Sequence, residues 1–221
     1  MNSSQSAIRN PQSAILYAIV DLGYVTPENA ASACRALLAG GAGILQLRAK
    51  GRDLATIEAV ARELIPLCRE AGVPFILNDF PELAAKLDAD GVHIGQDDGP
   101  LAAARAIVGP GKIIGRSTHS LEQAEAALEE GFDYIGFGPL FPTGTKPGRP
   151  AIGLDQIAEM ERRVGSKIPA FCIGGINFET LPAVLKAGAR RVVIVSALLQ
   201  AESVEEATRK VIADCGLRIA D

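Results

Sequence analysis

The chain has 221 residues, enough for one α/β domain with a full core, and 48% of them are apolar while tryptophan is absent. The formal charge of −4, with no basic tract, argues against a broad nucleic-acid surface, and no apolar stretch reaches the roughly 18 residues a membrane-spanning helix needs. Four isolated cysteines (Cys34, Cys68, Cys172, Cys215) show no CxxC or Cys/His metal spacing. They read as reduced, buried thiols of a cytoplasmic protein.

Residues 1–13 are polar, lack the apolar segment of a signal peptide and read as a flexible tail ahead of a single domain at 14–221. A first short apolar strand is predicted at 15–20, followed by a helix at 27–39 that starts on Thr26 and Pro27. Strand 43–47 leads to helix 53–71, strand 74–77 to helix 81–87, and strand 91–94 to helix 101–107. Strand 112–115 leads to helix 121–130 behind Ser120, and strand 133–137 to helix 154–162. Strand 169–173 with helix 178–187 and strand 191–195 with helix 204–213 complete the series. Gly40, Gly72, Gly131 and Gly188 are placed as left-handed helix caps. Such short, β-branched, non-alternating strands are expected to be covered on both faces. Eight strand–helix units at this length predict a (β/α)8 barrel. The competing open doubly wound sheet would carry a glycine-rich turn after its first strand, where this chain has Asp21, Leu22, Gly23 and Tyr24.

In such a barrel, chemistry sits where strands hand over to helices. Asp79 and Asp98 each follow a strand, one barrel unit apart, so the two carboxylates are expected on one rim. Two carboxylates suit Mg2+, which leaves places for water and phosphate oxygens. Arg48, Lys50 and Lys146 add cations nearby. Gly174 and Gly175 after the seventh strand, with Ser196 after the eighth, sit where this fold commonly binds phosphate through backbone N–H groups. The segment from Gly138 to Ile152 is long and rich in Pro, Gly and Thr, as lids often are. Two anion sites, one with a metal, favour joining a phosphorylated molecule to a pyrophosphorylated one. His93 lies within a strand run and reads as a packed histidine rather than a base, whereas His119 is closer to the rim and its role stays open.

Several motifs resemble the thiamine-phosphate synthase family in order and over nearly the whole chain after the tail. They are Gln46-Leu47-Arg48-Ala49-Lys50, Asn78-Asp79, the run from Ala89 to Gln96 with Asp98, and Gly115 to His119. Gly138 to Lys146, Ile173 to Ile176 and Val195-Ser196 complete them. The resemblance implies a (β/α)8 transferase of thiamine biosynthesis that joins hydroxymethylpyrimidine pyrophosphate to hydroxyethylthiazole phosphate. It implies Mg2+ on Asp79 and Asp98. It implies pyrimidine pyrophosphate held by Gln46, Leu47, Arg48, Ala49, Lys50, Asn78, Ser117 and Lys146, of which Arg48, Lys50, Ser117 and Lys146 are catalytic. Thr143, Gly144, Thr145, Gly175, Val195 and Ser196 would then hold the thiazole phosphate. Many relatives carry an acid where this chain has Ala49. Small molecules are the expected partners, with neither nucleic acid nor membrane, and a homodimer is left open. Two alternatives remain: a thiazole tautomerase of the same fold using His119 as acid and base, and a non-catalytic thiazole phosphate binder.

Overall fold

The computed structural model describes residues 14–142 and 150–219. Eight parallel strands close into a barrel in sequence order: β1 (Leu16–Asp21), β2 (Ile44–Arg48), β3 (Phe75–Asn78), β4 (Gly91–Ile94), β5 (Ile113–Thr118), β6 (Tyr134–Phe137), β7 (Ala170–Cys172) and β8 (Val192–Ile194). Closure comes from β1 beside β8, with Leu16 paired to Val192 and Tyr17 to Val193. The predicted (β/α)8 architecture is therefore the fold.

The outer layer is α1 (Pro27–Ala39), α2 (Leu54–Ala71), α3 (Pro81–Lys86), α4 (Leu101–Val108), α5 (Leu121–Glu130), α6 (Ile157–Met160), α7 (Leu181–Lys186), α8 (Ser196–Leu199) and α9 (Val204–Ile219). Helical periodicity explains how they dock. In α2, Ile57, Val60, Ala61, Leu64, Ile65 and Cys68 recur every three or four residues and are all buried against the barrel. Asp53 caps this helix by accepting from Thr56 N at 2.9 Å, and Gly72 closes it in the left-handed region at φ 65°. Ser120 likewise accepts from Gln123 N at the start of α5. The cap after α1 differs from expectation: Gly40 stays right-handed at φ −72°, and Gly41 turns the chain at φ +99°.

Three elements depart from the sequence pattern. The predicted helix 154–162 forms as α6 continuing into a π-helical turn at Glu161–Gly165, where Glu161 is buried. The one-turn helix α8 directly after β8 has no counterpart among the predicted elements. β5 runs on to Thr118, because Arg116, Ser117 and Thr118 keep ladder pairing with β6 beyond the apolar run that marks the strand. All four cysteines are free and buried, as expected. Among the described residues, no helix is long and apolar enough to cross a membrane.

What positions the site is the filling of the barrel. The rings of Tyr17, Tyr134 and Phe171 meet edge to face, with centroids 5.2–5.9 Å apart, and plug its lower half. Above them the inward positions turn polar, and a pocket opens.

Glu161 Oε1 accepts from Arg190 N at 3.1 Å, while Oε2 is buried with no hydrogen-bond partner. Burial pushes this carboxyl above its ordinary range, against the smaller opposing pull of Arg191 and Arg190. The folded protein thus keeps a proton that the unfolded chain has already released, so stability falls as pH rises from about 4.5 through the raised value. Glu161→Gln lacks that loss. Its melting temperature relative to the parent is expected to be higher at pH 7 than at pH 4, as calorimetry at the two pH values would show.

Candidate active site

The pocket lies within the barrel at the carboxyl ends of the strands, with about 1020 Å3 of space counting the part open to solvent. It gathers Gln46, Arg48, Asn78, Ser117, Gly175, Val195 and Ser196 from the residues singled out in the sequence, together with both histidines. Period-two alternation explains the selection. Gln46 and Arg48 line the pocket, whereas Leu47 between them is fully buried elsewhere in the core and can reach a ligand only through its backbone. Ala49 is buried and Lys50 exposed, and neither lines the pocket. Thr143, Gly144, Thr145 and Lys146 lie outside the described residues, as does the middle of the predicted lid at 143–149.

Arg48 is set by Asp21, the last residue of β1. Its Nη1 donates to Asp21 Oδ2 at 2.6 Å, and both groups are buried. Asp21 Oδ1 accepts from Gly23 N at 2.9 Å, which ties the carboxylate to the β1–α1 turn. A guanidinium so held presents a fixed donor geometry at the rim.

The two metal-type acids follow adjacent strands, for Asn78 pairs with His93 in the β3–β4 ladder. Asp79 and Phe80 both adopt left-handed backbone, at φ 60° and 55°. Successive non-glycine residues there cost on the order of 1–3 kcal/mol each, and such strain collects at functional sites. The turn is held by Asp79 N donating to His93 O at 2.9 Å and by Asn78 Nδ2 donating to Asp79 Oδ2 at 2.8 Å. Asp98 Oδ2 accepts from Gly95 N at 2.6 Å. Among the described residues no three His, Cys, Asp or Glu side chains gather as a metal cage. Two carboxylates from adjacent loops make a donor set that fits a hard cation drawing its other oxygens from water and a phosphorylated ligand.

Across the pocket, Gly174 and Gly175 take φ values of 99° and 67°. A Cβ on Gly174 would stand 2.5 Å from Pro139 Cα, and one on Gly175 would stand 2.6 Å from Phe141 Cβ. The loop after β6 therefore packs directly on this turn, through Leu140 N to Ile173 O and Phe141 N to Gly174 O. Thr180 Oγ1 donates to Gly175 O, and Asn177 Oδ1 accepts from Glu179 N and Thr180 N. The turn is fixed from below, with Val195 and Ser196 beside it on the pocket wall.

His119 Nδ1 lies 2.5 Å from the Gly138 carbonyl, to which it can only donate. Gln96 Nε2 donates to Ser117 O at 2.6 Å and braces the end of β5. His93, Tyr17 and Tyr134 form a polar floor beneath these groups. The only sequence signal for it is a polar atom on residues that otherwise read as strand interior.

The sequence model of the thiamine monophosphate synthase family matches residues 16–198. The chain belongs to that family. A thiamine-phosphate synthase of Thermus thermophilus is 50% identical over 173 residues, covering 78% of this chain and 82% of that protein. One of Chlorobium luteolum is 43% identical over 210 residues, covering 93% and 95%. The solved thiamine phosphate pyrophosphorylase of Pyrococcus furiosus superposes with a TM-score of 0.83 at 34% identity, covering 96% of this chain and 98% of that one. In this member of the thiamine monophosphate synthase family, the Asp21–Arg48 pair underlies the rim.

Asp21→Asn removes the carboxylate facing a buried guanidinium, and its unfolding free energy is expected to drop by about 3 kcal/mol. Replacing Arg48 with Met in the same variant should recover most of that loss. Urea denaturation of the single and double variants measures both values.

Proposed function

We propose that this chain condenses 4-amino-2-methyl-5-hydroxymethylpyrimidine pyrophosphate with hydroxyethylthiazole phosphate, forming thiamine phosphate and releasing pyrophosphate. The observation that carries the reading is one pocket in which Gln46, Arg48, Asn78 and Ser117 face the Gly174–Gly175 turn and Ser196, in a chain of this family. Such an enzyme is a transferase.

Gln46, Asn78 and Ser117 would orient the pyrimidine. Arg48, fixed by Asp21, would meet the pyrophosphate, with Lys50 and Lys146 contributing further positive charge from the rim. Backbone N–H groups around Gly175, Val195 and Ser196, with Thr143, Gly144 and Thr145, would hold the thiazole phosphate. Asp79 and Asp98 would hold Mg2+, which when bound supplies positive charge to the departing pyrophosphate.

The chemistry is a substitution at the exocyclic methylene of the pyrimidine. In the dissociative order, the carbon–oxygen bond breaks with its electron pair leaving on pyrophosphate. The resulting cation is delocalised into the aminopyrimidine, and the thiazole nitrogen then donates its lone pair to that carbon. The reaction needs no protein nucleophile and no proton transfer in the bond-forming step. Cys172, buried in β7, has its thiol pushed far up by burial and is unsuited to such a role.

The same reading is of a cytoplasmic enzyme that works on small molecules rather than on nucleic acid or membranes. The net charge of −4 and the four free thiols support it.

Pyrophosphate release is expected only with both substrates and Mg2+, with thiamine phosphate appearing in step. Asp79→Asn and Asp98→Asn should each lower the rate at least about 10²-fold at low Mg2+, with partial recovery at high Mg2+. Near-parental rates in both variants would remove the metal assignment. Isomerisation of thiazole phosphate without pyrophosphate release would instead favour a tautomerase using His119.

A further inference from the structure

The loop between β4 and α4 is exposed at Asp97 and Asp98, so packing does little to hold it. It is held instead from the neighbouring strand. Arg116 of β5 pairs with Ile94, the last residue of β4, in the ladder. Its Nη1 donates to Gly99 O at 2.6 Å and its Nη2 to Gln96 O at 3.3 Å. One planar guanidinium therefore spans the turn, from the residue before Asp97 to the residue after Asp98. At the near end of that span, Asp98 Oδ2 accepts from Gly95 N at 2.6 Å, and Asp98 N donates to Gly95 O at 3.3 Å.

A guanidinium keeps its charge, and taking it out of water costs free energy that only good hydrogen bonds offset. Arg116 is 9% exposed. Among the described residues, the partners of its guanidinium are those two carbonyls and the ring of Phe132, whose centroid lies 5.2 Å from Cζ. None of them is a carboxylate. The charge acts on main chain, and what it fixes is the path of the loop.

The anchor of this clamp is rigid. A Cβ on Gly115, the preceding residue, would lie 2.0 Å from Tyr134 Cζ, so β5 lies directly against that ring. Gln96 Nε2 donates to Ser117 O, a third tie between loop and strand. Ser117 and Thr118 line the pocket and Arg116 does not, so any effect of Arg116 on a ligand is exerted through another group.

We propose that Arg116 is a positioning residue that holds Asp98 where a divalent cation can share it with Asp79. The inference rests on the metal reading proposed above and adds what orients one of its two carboxylates. Asp79 has its own ties, to Asn78 Nδ2 and to His93 O, so loss of Arg116 releases one acid and spares the other. With only two protein carboxylates in the set, displacement of one weakens the hold on the ion directly. A lysine at 116 would keep the charge but not the fork that reaches both carbonyls.

The experiment is calorimetric binding of inorganic pyrophosphate to the full-length protein, with and without Mg2+. The ratio of the two affinities reads the metal. The parent should bind pyrophosphate more tightly with Mg2+. Arg116→Met should reduce that gain about tenfold while leaving the affinity without Mg2+ unchanged. Arg116→Lys should recover little of the gain. In an Asp98→Asn background, Arg116→Met should reduce the gain by less than about twofold further, because its target is already gone.

An unchanged gain in Arg116→Met would overturn the inference alone. So would an equal reduction in both backgrounds, or a loss of pyrophosphate affinity without Mg2+, since either marks a general loosening of the site. No gain from Mg2+ in the parent would defeat the metal reading together with the inference. If Arg116→Met does not fold, Arg116→Lys, which keeps the charge and the stem, decides by the same ratio.

Discussion

Closure of the barrel is the constraint on which the rest depends. Once β1 pairs with β8, there is no sheet edge, and every second residue of each strand points into a space shared by eight strands. Water does not reach the lower part of that space, so polar atoms there must satisfy one another. The chain meets this requirement with the same aromatic residues twice over: the rings of Tyr17, Tyr134 and Phe171 pack edge to face, and the two tyrosine hydroxyls join Gln46, His93 and Ser117 in a line.

The rim follows a second rule, in which charged groups are fixed by the loops that carry them. Asp21 is held by the turn after β1 and in turn holds Arg48. Asp79 is oriented by Asn78 and by the β4 backbone, and Asp98 by Gly95 N. Each of these contacts is made between groups of the protein itself. Preorganised charge of this kind lowers the reorganisation cost when negative charge develops on a leaving group.

Much of this was legible in the sequence. Strand–helix alternation with short apolar strands carries the barrel, because eight such units in one domain, with no glycine-rich turn after the first strand, favour closure over an open doubly wound sheet. That Gln46, Arg48, Asn78 and Ser117 line the pocket was legible because polar groups at the ends of apolar runs stand out from the strand interior. What escaped detection depended on contacts between distant strands. Tyr17 and Tyr134 sit in apolar runs and look like packing, and their hydroxyls gain meaning only when β1 and β6 face each other. The π turn at Glu161 reflects a carboxylate reaching Arg190 N across 29 residues, which helical periodicity cannot register. The helix α8 is too short for its periodicity to emerge. Gly40 and Gly41 adjoin one another; Gly40 packs against α9, where a Cβ would meet Thr208 at 2.4 Å, and the left-handed turn falls on Gly41.

The close fit of Gly115 under the Tyr134 ring ties two positions 19 residues apart into one unit of volume. A larger residue at 115 could be accommodated only by a smaller one at 134, and that exchange would delete the hydroxyl between Tyr17 and His93. Position 115 therefore cannot enlarge before position 134 has shrunk. Among sequences descended from this chain, a change at 115 is expected to come with a change at 134 and with a rewired floor. Space, rather than charge, sets the terms on which the ring-facing end of the pocket can be altered.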